Sequence, residues 1–296
     1  MPSPGDAPAP DVVVRLADGT AVAADVVGDP GGVPLVWLHG TPGSRLARHP
    51  DESLAGRHGA RLIAVDRPGY GASDPQPPGA FPGALAALLD HLDVERCTVV
   101  AWSGGALDGL AAAARLGDRV AALVLVSALV PREAYAEPTV AAAAPDRAHL
   151  LELADSLPAG ELGPEVAPLL APYPCDRGLA AEHQAASRDA VGVDEVASVP
   201  GLADRMADSL VEAVRRGLAG VEADVEAQNR PSPVALADIA CPVHLWWGAL
   251  DTVTPVPFGD WYARHLRSAT LAVVPTAGHH LPITHWPLLL KAFART

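Results

Sequence analysis

Six short apolar runs, each too short for a helix and rich in β-branched residues, recur along this 296-residue chain and limit what it can fold into. They occupy residues 35–38, 62–65, 98–101, 123–126, 243–247 and 271–274. A strand with one wet face alternates polar and apolar residues, whereas a strand covered on both faces is apolar throughout. Such runs, separated by helical segments such as 84–92 and 105–116, predict an α/β fold with a mostly parallel twisted sheet and helices on both faces. Ahead of them, residues 12–16 and 20–27 flank an Asp18-Gly19 turn and predict an antiparallel edge hairpin.

Between 131 and 230 the pattern stops. This stretch is Ala, Leu, Glu, Asp and Arg punctuated by Pro and Gly, which predicts a helical cap inserted into the core. The expected division is a disordered tail over 1–10, with four prolines, core over 11–130 and 236–296, and cap over 131–235. The 131–230 stretch holds 18 acidic and 8 basic residues, so −10 of the net charge of −14 lies there. With 35 acidic residues against 21 basic, a nucleic acid or an anionic bilayer meets mostly repulsion. No run reaches the roughly 20 apolar residues that span a membrane. The N-terminus lacks the basic start and apolar run of an export signal, so a cytoplasmic location is expected. Cys97, Cys175 and Cys241 are odd in number, far apart and outside any C-x-x-C pair, which argues against a disulfide framework or a zinc site.

The segment Ala101-Trp102-Ser103-Gly104-Gly105 carries the most chemical information. A buried strand runs into a serine and then into a helix, the context of a nucleophile elbow. The residues two before and two after the serine must be small so that strand and helix can approach, and Ala101 and Gly105 are. Taken alone, the segment also fits a Gly-rich turn with an N-capping serine. A hydroxyl becomes a nucleophile only when a histidine takes its proton, and the imidazolium so formed needs a buried carboxylate. Both candidates follow later strands: Asp251 lies after the run at 243–247, and His279 after the run at 271–274. The chain order is therefore Ser103, Asp251, His279.

With these motifs the sequence resembles the α/β-hydrolase superfamily over most of the chain outside the cap and tail. His39-Gly40-Thr41-Pro42-Gly43 is similar to that family's oxyanion-hole segment. Asp66-Arg67-Pro68-Gly69-Tyr70-Gly71-Ala72-Ser73 is similar to its D-x-P-G-x-G-x-S turn. The resemblance implies that Ser103 is the nucleophile, His279 the general base and then acid, and Asp251 its orienting carboxylate. It also implies an oxyanion hole of the Thr41 and Gly104 backbone N–H groups, aided by the helix that follows Ser103. The connection over 75–96 is short for the family, which implies that one helix is trimmed. His279 is preferred to His280 because the family's base directly follows the glycine. Glu133 is a secondary candidate for the acid, since some members place it after the corresponding strand.

Other prominent residues have plainer expected roles. Asp66 is expected to bond local backbone N–H groups, and His39 to brace the oxyanion loop by a hydrogen bond. Asp108 is expected to be a satisfied helix residue, and Trp246 and Trp247 to lie in the core. Trp102, and with it His39, are candidates to line the substrate pocket. Arg45 either holds an anion or sits solvated or salt-bridged. His279, His280 and His285 lack the acidic or thiolate partners of a metal site.

A Ser-His-Asp site without a glycine-rich phosphate loop implies acyl transfer to water through an acyl-enzyme, with no metal or organic cofactor and a small-molecule substrate. The acidic cap disfavours polyanionic acyl carriers and favours small neutral or cationic esters and amides. A proline-type aminopeptidase is the nearest alternative, although Thr41 stands where that branch typically has glycine. A cyclase, a decarboxylase or a ligand-binding protein on the same scaffold also remains open, as does the oligomeric state.

Overall fold

The computed structural model describes residues 8–294. Eight strands form one sheet: β1 (Val12–Arg15), β2 (Ala21–Gly28), β3 (Val33–Leu38), β4 (Ala60–Asp66), β5 (Cys97–Trp102), β6 (Val120–Val126), β7 (Val243–Gly248) and β8 (Ala269–Val274). Their order is β1-β2-β4-β3-β5-β6-β7-β8. The hairpin β1–β2 is antiparallel and β2 pairs antiparallel with β4. All other pairs are parallel. The sheet is therefore the mostly parallel one that the apolar runs predict.

The core helices are α1 (Ser53–Arg57), α2 (Phe81–His91) and α3 (Ala106–Leu116) before the insertion. From β6 to β7 the regular structure is helical throughout: a 3₁₀ turn at Arg132–Ala136, then α4 (Pro138–Ala143), α5 (Asp146–Ser156), α6 (Leu162–Leu170), α7 (Arg177–Ala186), α8 (Ala190–Ser198), α9 (Leu202–Ala213), α10 (Ala219–Asn229) and a short 3₁₀ turn. The chain ends with α11 (Val256–His265), α12 (Leu281–Thr284) and α13 (Trp286–Phe293). A single helix, α2, joins the turn after β4 to β5.

Both faces of the sheet are covered. On one, Leu85 and Leu88 of α2, Leu110 of α3 and Trp261 of α11 pack on Val36, Ile63, Val99 and Leu123. On the other, Ala55 of α1 and Trp286 and Leu290 of α13 pack on Trp37, Ala64, Val100 and Val124. A third apolar cluster, with Leu162, Val166, Leu210 and Val225, lies within the insertion and includes Tyr70 of the core.

Strand β8 departs from the expectation of a strand buried on both faces. It is the last strand of the sheet, and none of its six residues is fully buried. An edge strand has one neighbour instead of two, so its apolar run reflects β-propensity more than burial. The tail expectation falls largely on residues 1–7, outside the described residues. Residues 8–10 have no regular structure, and the Pro8 carbonyl accepts a hydrogen bond from the Arg45 guanidinium.

Candidate active site

Strand β5 delivers Ser103 to the carboxyl-terminal rim of the sheet. All six residues of β5 are buried, and the chain turns sharply at Ser103, whose φ of 52° lies in the left-handed region. A serine in that conformation is strained, and such strain persists only where its surroundings enforce it. A Cβ on Gly105 would lie 2.6 Å from the His39 carbonyl oxygen, and one on Gly109 would lie 2.8 Å from the Ala101 Cβ. Strand and helix thus touch where the elbow demands small residues.

The loops after β7 and β8 carry the other two candidates. Ser103 Oγ lies 3.1 Å from His279 Nε2, and His279 Nδ1 lies 3.0 and 3.2 Å from the two Asp251 carboxylate oxygens. In the matching tautomer Nδ1–H donates to Asp251, and Nε2 accepts from the serine hydroxyl. Asp251 also accepts from the Val253 and Thr254 N–H groups at 2.9 and 2.8 Å and from the Thr254 hydroxyl at 2.8 Å. Burial pushes its carboxyl upward, but His279 and the Thr254 bonds outweigh that and hold it below the ordinary value. Asp251 is therefore a carboxylate fit to orient and stabilise an imidazolium.

The loop of His39 to Gly43 folds against the turn at Ser103. Neither the Thr41 nor the Gly104 backbone N–H finds an acceptor among the described residues. The Thr41 hydroxyl lies beside Gly104, donates to Asp224 of α10, and accepts from Gln228 Nε2 at 3.2 Å. Arg67 fastens the loop from behind: Nε donates to the His39 carbonyl at 2.9 Å, and Nη2 to the Gly40 carbonyl at 3.1 Å and to Thr41 Oγ1 at 3.2 Å. Its charge is met by Asp224 at 2.6 Å and Asp108 at 3.0 Å, and Tyr70 adds a hydroxyl to Asp224 at 2.6 Å.

Two insertion residues that the sequence did not single out hold the loops that carry Asp251 and His279. Glu195 of α8 accepts from the N–H groups of Gly278 and His280, at 2.6 and 3.0 Å, and so grips the backbone on both sides of His279. Burial raises its carboxyl, but His280 and these two N–H groups outweigh burial and keep it below the ordinary value. Asp189 caps α8 by accepting from Gly192 N–H at 2.7 Å and takes the Thr252 hydroxyl at 2.6 Å, next to Asp251. Glu195, and Asp224 behind Thr41, had a faint signal. Glu195 shares the buried face of α8 with Gly192 and Val196, and Asp224 falls between Val221 and Gln228 on the buried face of α10. A carboxylate on such a face requires a partner.

The pocket-lining expectation for His39 and Trp102 needs correction, and the plainer roles expected of Asp66, Arg45 and Trp247 hold. His39 does not line a pocket: its ring is fully buried, Nδ1 bonds the Gly40 carbonyl at 2.8 Å, and Nε2 accepts from Arg67 N–H at 3.2 Å. Burial and the Arg67 charge hold its pKa well below the ordinary value, so it is a neutral brace. Trp102 backs the histidine instead of walling an open pocket; it is 4% exposed and its indole N–H donates to the His279 carbonyl at 3.0 Å. Glu133 is exposed and accepts from Ser232 N–H at 2.7 Å, with no bond to His279, whose ring nitrogen contacts Asp251. Arg45 holds no free anion: it is fully buried against Asp25 at 2.8 Å, Asp66 at 2.9 Å and Glu212. Asp66 accepts from Arg45 and Ala72 N–H at 2.7 and 2.9 Å, and burial raises its carboxyl to about 6 despite Arg45. His280 is turned away toward Glu195, 3.6 Å from it. Trp247 is buried beneath α11. Among the described residues no group of three or more His, Cys, Asp or Glu side chains is arranged to hold a metal, and no helix is long and apolar enough to cross a membrane.

Known proteins agree with this architecture. Residues 33–161 match the family model described as the alpha/beta hydrolase fold. A pimeloyl-[acyl-carrier protein] methyl ester esterase of Chromobacterium violaceum is 33% identical over 264 residues, covering 87% of this chain and 89% of that protein. The chain belongs to the α/β-hydrolase family. A putative non-heme haloperoxidase of Mycobacterium phage D29 is 36% identical over 124 residues, but the match spans only 44% of that protein and 40% of this chain. Among solved structures, an α/β-hydrolase-fold protein from Chitinophaga pinensis superposes with a TM-score of 0.65 at 18% identity, covering 96% of this chain and 95% of its own. At that identity the likeness speaks for the hydrolase fold alone.

Proposed function

We propose that this α/β-hydrolase is a serine hydrolase that cleaves a small ester or amide through an acyl-enzyme. The observation that carries the reading is the unbroken chain from Ser103 Oγ through the His279 ring to the Asp251 carboxylate, with contacts of 3.1 and 3.0 Å. Ser103 Oγ attacks the substrate carbonyl as His279 Nε2 takes its proton, and Asp251 stabilises the imidazolium. The oxyanion is received by the Thr41 N–H in the loop after β3 and by the Gly104 N–H in the helical turn leading into α3, where the helix dipole favours negative charge. The imidazolium then protonates the leaving alcohol or amine. In the second half, His279 takes a proton from water as the water oxygen attacks the acyl carbon, then returns that proton to Ser103 Oγ as the bond from Oγ to the acyl carbon breaks and the acid leaves.

An ester is favoured over an amide, because the methyl ester esterase from Chromobacterium violaceum is similar along nearly the whole chain. That protein acts on an acyl chain borne by a carrier. The net charge of −10 over 131–230 disfavours a polyanionic carrier here and favours esters free in solution. Ser103→Ala is expected to fold normally and to lose about 10⁴-fold or more of its turnover of p-nitrophenyl butyrate. Near-native turnover by that variant would refute the reading. Faster cleavage of a proline anilide than of the butyrate by the unaltered protein would move it to the aminopeptidase class.

A further inference from the structure

Gly104 directly follows Ser103, and the space where a side chain at this position would stand is already taken. A Cβ on Gly104 would lie 2.8 Å from Gln228 Nε2 and 2.9 Å from the Thr41 Cβ, and closer still to the Thr41 hydroxyl. Two polar groups from elsewhere therefore flank Gly104, one from the loop after β3 and one from α10 of the insertion.

Gln228 is buried, and its carboxamide has one partner among the described residues: Nε2 donates to Thr41 Oγ1 at 3.2 Å. That hydroxyl fixes which way the amide faces. A threonine hydroxyl has one hydrogen and two lone pairs. The hydrogen goes to the Asp224 carboxylate, which only accepts, and Arg67 Nη2 donates to one lone pair at 3.2 Å. Gln228 must offer an N–H, and not its carbonyl, to the lone pair that remains. The second hydrogen of Nε2 has no acceptor among the described residues. Oε1 also lacks a partner, yet it is open to solvent, so the amide has a free edge that a ligand can reach. The backbone N–H groups of Thr41 and Gly104 likewise lack acceptors. Unmet donors on three residues in mutual contact beside Ser103 suit an oxygen that carries negative charge.

We infer that Gln228 is a further catalytic residue of the serine hydrolase proposed above, on which this inference rests: its second Nε2–H donates to the substrate carbonyl oxygen as that oxygen becomes an oxyanion. Gln228 gives up no proton. The insertion thus adds a third donor to the two backbone N–H groups of the core. A donor fixed in advance bonds the developing charge more strongly than the neutral carbonyl, so its loss falls on kcat and not on KM.

The deciding experiment is a crystal structure of the unaltered chain after reaction with a p-nitrophenyl alkylphosphonate. Ser103 Oγ bonds to phosphorus as p-nitrophenolate leaves, and the phosphoryl oxygen then stands where the oxyanion would. That oxygen is expected within about 3.2 Å of Gln228 Nε2. A separation above about 4 Å would overturn the inference and leave the hydrolase reading standing, whereas failure to form the adduct on Ser103 would overturn both. In solution, Gln228→Leu is expected to lower kcat on p-nitrophenyl butyrate about 10²-fold with KM within about twofold, the lower end of what one such donor is worth. Asp224 and Arg67 still hold Thr41 in that variant. An unchanged kcat, or a loss confined to KM, would also overturn the inference.

Discussion

Ser103 and His279 meet at 3.1 Å, yet the two halves of the candidate site are held by different means. Ser103 directly follows β5, an interior strand between β3 and β6 with all six residues buried, so strand register and the packing of α3 place it. His279 follows β8, the edge strand with no fully buried residue. Edge strands are held on one side only, and loops that leave them need further support. Here the support is the carboxylate of Glu195, which spans the two N–H groups around His279, with Asp189 bracing the neighbouring acid loop. Ser103 is placed by the backbone of the core, and His279 by side chains of the insertion.

This contrast predicts a graded set of losses. The largest falls on Glu195. Glu195→Gln turns one acceptor oxygen into a donor facing an N–H, and it is expected to lower kcat on p-nitrophenyl butyrate about 10²-fold with KM within about twofold, since small misplacements of a catalytic group cost that much. A KM change as large as the kcat change would show that Glu195 binds substrate and does not position the histidine.

A smaller loss is expected on the serine side. Asp224→Asn weakens the grip on Thr41, but Arg67 still holds the loop through the His39 and Gly40 carbonyls, so kcat should fall only about tenfold. If that variant fell further than Glu195→Gln, the proposed division of labour would be reversed.

The smallest effect is local and depends on pH. The Glu195 carboxyl is held below its ordinary value of 4.5, so its grip is complete above that pH and is lost as pH falls through its lower folded value. Hydrogen-exchange protection of the Gly278 and His280 amides should be constant from pH 6 to pH 5 and decline below about 4.5, while the amides of β5 keep theirs. A parallel decline in both places would mean global acid unfolding instead of release of the histidine loop.

The interior of the sheet was legible because burial on both faces writes itself into composition: the runs at 35–38, 62–65 and 98–101 are the cores of β3, β4 and β5. The order of Ser103, Asp251 and His279 was legible because each closes or follows such a run. The insertion was legible only as helix. Glu195 stands next to Asp194 among 18 acidic residues, and its one mark is its position beside Val196 on a buried face. For His39 and Arg45 the bracing bond and the ion pair were within reach of the sequence but the partners were not, since they are supplied by β2, by the turn after β4 or by α9. Those partners lie up to 167 positions away, beyond the reach of local pattern.

The most direct measurement of whether Ser103 is activated is its reaction rate with a fluorophosphonate, with the adduct mapped by mass spectrometry. The unaltered protein is predicted to label at Ser103 alone, and His279→Ala to label there at least about 10³-fold more slowly. Labelling of His279→Ala at the unaltered rate, or an adduct on another serine, would contradict the account.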